Sequence, residues 1–192
     1  GGRTASTTTG ILIDGNRYSA LERFVYDRQP DGDAGLDTRF AVWFQSSSEY
    51  SNYDFTKFLE PVERQGLGSA YYPEIPIMRL SEIYYIACEA QIGKDNALAL
   101  QYLNDVRNNR NLSLIQTVPD DATLLEYLVR EMRKDFIGDG RTFLMHKRLF
   151  YDIYTVRGET IPASDNIFVI PIPDDEYEFS GIEKPGNTTD NN

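Results

Sequence analysis

The chain has 192 residues, and 19 Lys plus Arg face 30 Asp plus Glu for a formal net charge of −11. That length suits one domain of roughly 100–200 residues. The acidity excludes a nucleic-acid binder, which needs clustered Lys and Arg for phosphate contacts, and docking on anionic lipid through a basic patch. A single cysteine, Cys88, and a single histidine, His146, exclude an intrachain disulfide, a Cys-based zinc cluster, an iron–sulfur site and a multi-His metal site. No metal or cofactor is expected.

From the N-terminus, Gly1 to Thr9 contains no Met start and no secretory apolar region, as in a processed or truncated chain. Thr7 to Gly15 reads as a short strand ending in an Asp-Gly turn. Asp31 to Gly35 is a mobile loop by composition, and Arg39 to Phe44 alternates weakly, as a further short strand would. Residues 1–75 hold no sustained helical period and are predicted to be loop-rich.

Pro73 and Pro76 hold off helix until about Ile77. Beyond them Ile77, Leu80, Ile83, Tyr84, Ala87 and Gln91 follow helical spacing, with Gly93 as the stop. A second helix starts at Asp95, an N-cap candidate, and runs through Ala99, Tyr102, Leu103 and Val106, with Arg107 and Arg110 in its last turns. The two make an antiparallel hairpin near the length of a ~34-residue tetratricopeptide unit. Thr123 and Glu126 form a capping-box pattern for a third helix carrying Leu124, Leu125, Leu128, Met132 and Phe136, ended by Gly138 and Gly140. A shorter fourth helix is predicted around Phe143, Leu144 and Leu149. Ile167 to Ile170, between Pro162 and Pro171, reads as a strand, and 186–192 as a disordered tail. The predicted fold is mainly α: helical hairpins like tetratricopeptide repeats over 76–150, packed with a loop-rich region containing short strands over 1–75, and followed by an extended segment and tail over 151–192. No apolar run approaches the ~18 residues of a membrane span.

Thirteen Tyr, ten Phe and one Trp make 12% of the chain aromatic. A flat aromatic ring suits the apolar C–H face of a sugar, and amide or charged groups suit its hydroxyl rim. Trp43, Tyr50, Tyr53, Tyr71 and Tyr72 supply such rings, with Arg39, Gln45 and Asn52 as polar partners; these are the candidate ligand-binding residues. For Trp43 a place in the core is an equal alternative. Glu82, Glu89 and Glu131 offer carboxylates of the kind a glycosidase uses, but no spacing singles out a pair, so no catalytic residue is assigned. Asp31, Asp33 and Asp37 imitate part of a calcium loop. Leu36 stands where that loop needs Gly and Val42 where it needs Glu, so no metal site is assigned. Cys88 reads as a small buried hydrophobe, and His146 as a helix-surface or groove residue.

Six landmarks in order resemble the C-terminal region of the SusD/RagB family. They are Asp37-Thr38-Arg39-Phe40; Thr56-Lys57-Phe58-Leu59-Glu60-Pro61; the run Ile75 to Ala90 with Arg79, Glu82 and Glu89; and Ala97-Leu98 with Leu103-Asn104-Asp105-Val106-Arg107. Glu131 to Phe136 with Gly140-Arg141 follows, and Ile170-Pro171-Ile172-Pro173 closes the series. Asp135 departs from a common Glu, and Thr142-Phe143-Leu144 replaces an aromatic pair followed by Asp. The landmark charges read as ion pairs joining helices: Arg79 and Glu82 on one helix face, with Arg107, Arg133 or Arg141 as further partners.

The resemblance implies a non-enzymatic, cell-surface, outer-membrane lipoprotein of Bacteroidetes that captures an oligosaccharide or polysaccharide for nutrient uptake. It implies a SusC-like TonB-dependent transporter as partner, and a lipid anchor and further helical repeats upstream of residue 1. Capture of peptides is the alternative within the family, and glycoside hydrolysis the alternative from another class.

Overall fold

The structure, a computed structural model, describes residues 11–26, 37–46, 53–58 and 77–179. Its described part is mostly helical. The first strand, β1 (Ile11–Ile13), leads directly into α1 (Gly15–Leu21), which continues as a π-helical turn over Glu22–Tyr26. Asp14 does not make the expected turn. Its side chain accepts the Arg17 N–H at 2.9 Å and caps α1.

Arg39 to Phe44 is likewise not a strand. Asp37 accepts the Arg39 N–H at 2.9 Å and opens α2 (Thr38–Trp43); extended backbone resumes only at β2 (Phe44–Ser46). With β3 (Tyr53–Phe55) the strands form an antiparallel sheet of order β1-β3-β2, pairing Ile13 with Tyr53 and Tyr53 with Ser46.

The helical part follows its periodicity closely. α3 (Leu80–Gln91) begins three residues later than expected, leaving Ile77 and Met78 exposed, and ends at Gly93 with φ +77°. α4 (Asn96–Asn108) is capped by Asp95, which accepts the Leu98 N–H at 3.0 Å. Arg110 falls just beyond its end. α5 (Asp121–Asp135) is capped by Asp120 rather than Thr123, because both the Thr123 N–H and its hydroxyl donate to the Asp120 carboxylate. α6 (Arg141–Leu149) follows Gly140, whose φ is +71°. A two-stranded ribbon joins β4 (Ile153–Tyr154) to β5 (Thr160–Ile161). Ile167 to Ile170 is no strand: Asp165–Phe168 forms one helical turn, α7, which buries Phe168. A last helix, α8, spans Asp174–Phe179. The tail at 186–192 lies outside the described residues.

Two apolar cores result. The larger joins α3, α4, α5 and α6 through Tyr85, Cys88, Leu103, Leu124, Leu128, Met132 and Met145; each fully buried leucine among them contributes about 1.5–3 kcal/mol. The smaller is aromatic and unites the N-terminal elements: Leu21, Val25, Tyr26, Phe40, Phe44 and Phe55. Met145 and His146, not Phe143 and Leu144, are the buried residues of α6. His146 is thus no surface residue: it is fully buried, with Nδ1 3.3 Å from the Tyr151 carbonyl.

Candidate functional site

A buried ion cluster joins the two cores. α2 carries Arg39 inward, only 1% exposed, where its guanidinium grips both Asp37 oxygens at 2.9 and 2.7 Å, Glu131 Oε2 at 2.7 Å and Asp135 Oδ1 at 3.1 Å. Arg107 Nη1 reaches Glu131 Oε1 at 3.0 Å from α4, and Lys134 Nζ reaches the same oxygen at 2.9 Å. The Tyr85 hydroxyl donates to Asp135 Oδ2 at 2.5 Å. Burial raises the carboxyl pKa of Glu131, but Lys134, Arg39 and Arg107 outweigh it and hold the group well below the usual carboxylate range. Asp135 is lowered in the same way: burial opposes ionisation, and Arg39 and Arg110 prevail. Such a cluster fixes α2 against α4 and α5, since any member left alone would be an uncompensated buried charge.

Arg107 also donates to the Ser113 carbonyl from Nε and Nη2, at 3.1 and 2.7 Å. Asn104 clamps the Ile115 backbone on both sides at 3.0 Å. The Leu103-to-Arg107 landmark therefore serves the loop after α4 as well as the cluster. The remaining landmark charges bridge helices. Arg79 lies before α3 and pairs with Asp139, not with Glu82; Glu82 pairs with Arg141, and Glu89 with Arg148 at 2.5 Å.

The aromatic candidates stand on this frame. Lys57, after β3, donates to the carbonyls of Asp135 at 2.5 Å and Ile137 at 2.8 Å, and to Asp139 Oδ1 at 2.9 Å. Burial pulls its pKa down to about 8, against the opposing pull of Asp139. Its ammonium sits 4.7 Å from the Trp43 ring centroid, so the half-buried indole is fixed by a cation that is itself anchored to the α5–α6 turn. Tyr53 stacks on Tyr18 of α1, with centroids 3.6 Å apart and planes 7° from parallel. Burial, then Glu22, raises the Tyr18 pKa. Tyr18 was not among the sequence candidates, because α1 lacks a helical period long enough to reveal it. Tyr18 also touches Phe40 and Phe44, tying the stacked pair into the aromatic core.

Of the residues selected from the sequence, Trp43 packs against the aromatic core and Tyr53 reaches it through Tyr18; both are half-buried, and among the described residues no ring contact joins them. Gln45 is exposed on β2, with its amide bonded to the Val42 carbonyl at 3.3 Å. Arg39 is a correction: its burial and its bonds to three carboxylates withdraw it from any ligand. Tyr50, Asn52, Tyr71 and Tyr72 lie outside the described residues, as do Asp31 and Asp33; Asp37 gives both oxygens to Arg39. Among the described residues no three His, Cys, Asp or Glu side chains group to hold a metal ion, and no helix is long and apolar enough to cross a membrane. Cys88 is fully buried, and burial pushes its thiol up to about 12.

The helical hairpin, the short-stranded flank and the charged landmarks that bind them define a class. The model of the SusD family matches residues 14–177, and the chain belongs to that family. A solved structure similar to it over 92% of its length, a SusD-like carbohydrate binding protein from Bacteroides vulgatus ATCC 8482, shares the fold with a TM-score of 0.54 at 18% identity. The chain spans 43% of that protein's length. Comparison with curated proteins finds no match.

Proposed function

We propose that this protein captures an oligosaccharide without altering it, as part of a cell-surface uptake system at the outer membrane in which a TonB-dependent transporter receives the cargo. One observation carries the reading. The landmark Arg, Lys and Glu side chains are engaged in holding the fold, whereas Trp43 and Tyr53 remain half-exposed and are stiffened from behind by Lys57 and Tyr18. A ring held in place loses little freedom when a sugar stacks on it, and each such contact contributes about 0.5–1.5 kcal/mol beyond its buried area. Carbohydrate binding by the Bacteroides relative supports the same cargo class.

The acids that a hydrolase would use are tied to cations. Glu82 holds Arg141, Glu89 holds Arg148, and Glu131 is fully buried among Arg39, Arg107 and Lys134. Hydrolysis needs one carboxyl kept protonated beside a sugar, and the cations around Glu131 favour its ionised form. The test is a glycan array, followed by titration of each hit while tryptophan emission is recorded. Saturable binding that perturbs the Trp43 emission supports capture. Binding to peptides but to no glycan would replace the cargo, and binding to neither would leave a helical adaptor.

A further inference from the structure

Lys57 directs all three of its N–H donors at the α5–α6 turn. The acceptors are the carbonyls of Asp135 and Ile137 and Oδ1 of Asp139, at 2.5–2.9 Å. The side chain is 1% exposed, so water does not readily stand in for any of them. Three acceptors match an ammonium, which has three donors and no lone pair. The neutral amine has two donors and would leave one acceptor bare.

The aromatic side of the contact needs the charge as well. Lys57 Nζ lies 4.7 Å from the Trp43 ring centroid and 5.4 Å from that of Phe58, and a ring face attracts a cation rather than an amine. The Trp43 carbonyl accepts the Thr56 N–H at 2.8 Å, which fixes its backbone and leaves the indole to its side-chain contacts. The charged groups facing Lys57 are Asp139, which Arg79 also holds, Asp135 and Arg79 itself. The two acids favour the ammonium, whereas burial, the strongest influence, and Arg79 oppose it.

We infer that Lys57, anchored by Asp139, is a positioning residue whose proton governs capture at the Trp43 platform. Charged, it holds the indole from the buried side and leaves the other face to a sugar; neutral, it releases the ring and binding weakens. With Lys57 titrating at about 8, capture fades on the alkaline side of that value. The inference rests on glycan capture at Trp43.

Trp43 is the single tryptophan of the chain, so its emission reports this contact. Emission and acrylamide quenching are followed without glycan from pH 6 to pH 9, below the range in which tyrosines ionise. Both show a step near pH 8, with faster quenching on the alkaline side. Lys57→Met has no step and is quenched readily throughout. In Asp139→Asn the step moves to lower pH, because Lys57 loses its carboxylate and still faces Arg79; a merely structural role would not move it. With the tightest glycan of the array, wild-type affinity falls about fivefold or more between pH 7 and pH 9, whereas Lys57→Met binds weakly and equally at both. The wild-type titrations carry the test should a variant not fold. A wild-type emission without a step, an unmoved step in either folded variant, or equal wild-type affinity at pH 7 and pH 9 overturns the inference. No glycan binding at pH 7 overturns the capture reading and this inference with it, so the affinity at pH 7 tells the two failures apart.

Discussion

Replacing Arg39 with Ala takes the centre out of the buried ion cluster. Four charge-assisted bonds disappear, two to Asp37 and one each to Glu131 and Asp135, at 2.7–3.1 Å. Water cannot readily replace them, since the side chains of all three carboxylates are at most 2% exposed. Summing four charged hydrogen bonds at about 1.5–3 kcal/mol each would overstate the loss, because Lys134 and Arg107 still hold Glu131 and Arg110 still faces Asp135. The cost is that of breaking one buried pair, about 3–5 kcal/mol, against a total stability of roughly 5–15 kcal/mol. For a chain of this size the melting temperature falls by roughly 6–20 °C. Urea denaturation followed by far-UV circular dichroism measures it. Arg39→Lys retains the charge but loses the fork, and lies between wild type and Ala. A loss under about 1 kcal/mol for Arg39→Ala would refute the reasoning, since it would mean that the cluster is hydrated and weakly coupled.

Four further outcomes follow from the fold. Gly138 has φ +77°, and a Cβ there would sit 2.7 Å from the Phe55 ring; Gly138→Ala therefore destabilises by more than about 1 kcal/mol in the same urea assay. Burial lowers the His146 pKa below 6.5 in the folded protein. Above that pH both states are neutral there, and below it the unfolded chain takes a proton that the folded one refuses, so stability drops as pH falls below about 6.5. His146→Gln flattens that part of the profile. The lowered carboxyls of Glu131 and Asp135 contribute above the ordinary carboxylate range, and that contribution is lost as pH falls through it towards their folded values. Cys88 stays unmodified by iodoacetamide at pH 8 until denaturant is added, since its thiol is buried and pushed up to about 12.

The helices were legible where the pattern was local. Asp95, Gly93 and the apolar spacing of α4 and α5 act within a few residues, and the structure keeps them. α2 was not, because Arg39 is buried by a partner set some 90 residues away, Glu131 and Asp135, and Phe40 by the aromatic core around Tyr18 and Tyr26, beyond the reach of a short window. Arg79 shows the same limit: its expected partner Glu82 presumed a helix already begun at Ile77, but α3 starts at Leu80 and Arg79 reaches Asp139 instead. Of the site, the aromatic chemistry was visible and the support was not. Nothing near Trp43 in sequence announces that Lys57 sits over its ring, or that Tyr18 backs Tyr53 across the sheet.

The most direct measurement is an equilibrium titration of the whole chain with a glycan selected on the array, with tryptophan emission and released reducing ends recorded on the same samples. The account predicts saturable quenching or enhancement, affinity at least tenfold weaker in Trp43→Ala and Tyr53→Ala, and a flat reducing-end signal. Steady growth of reducing ends, or undiminished affinity in both variants, would contradict it.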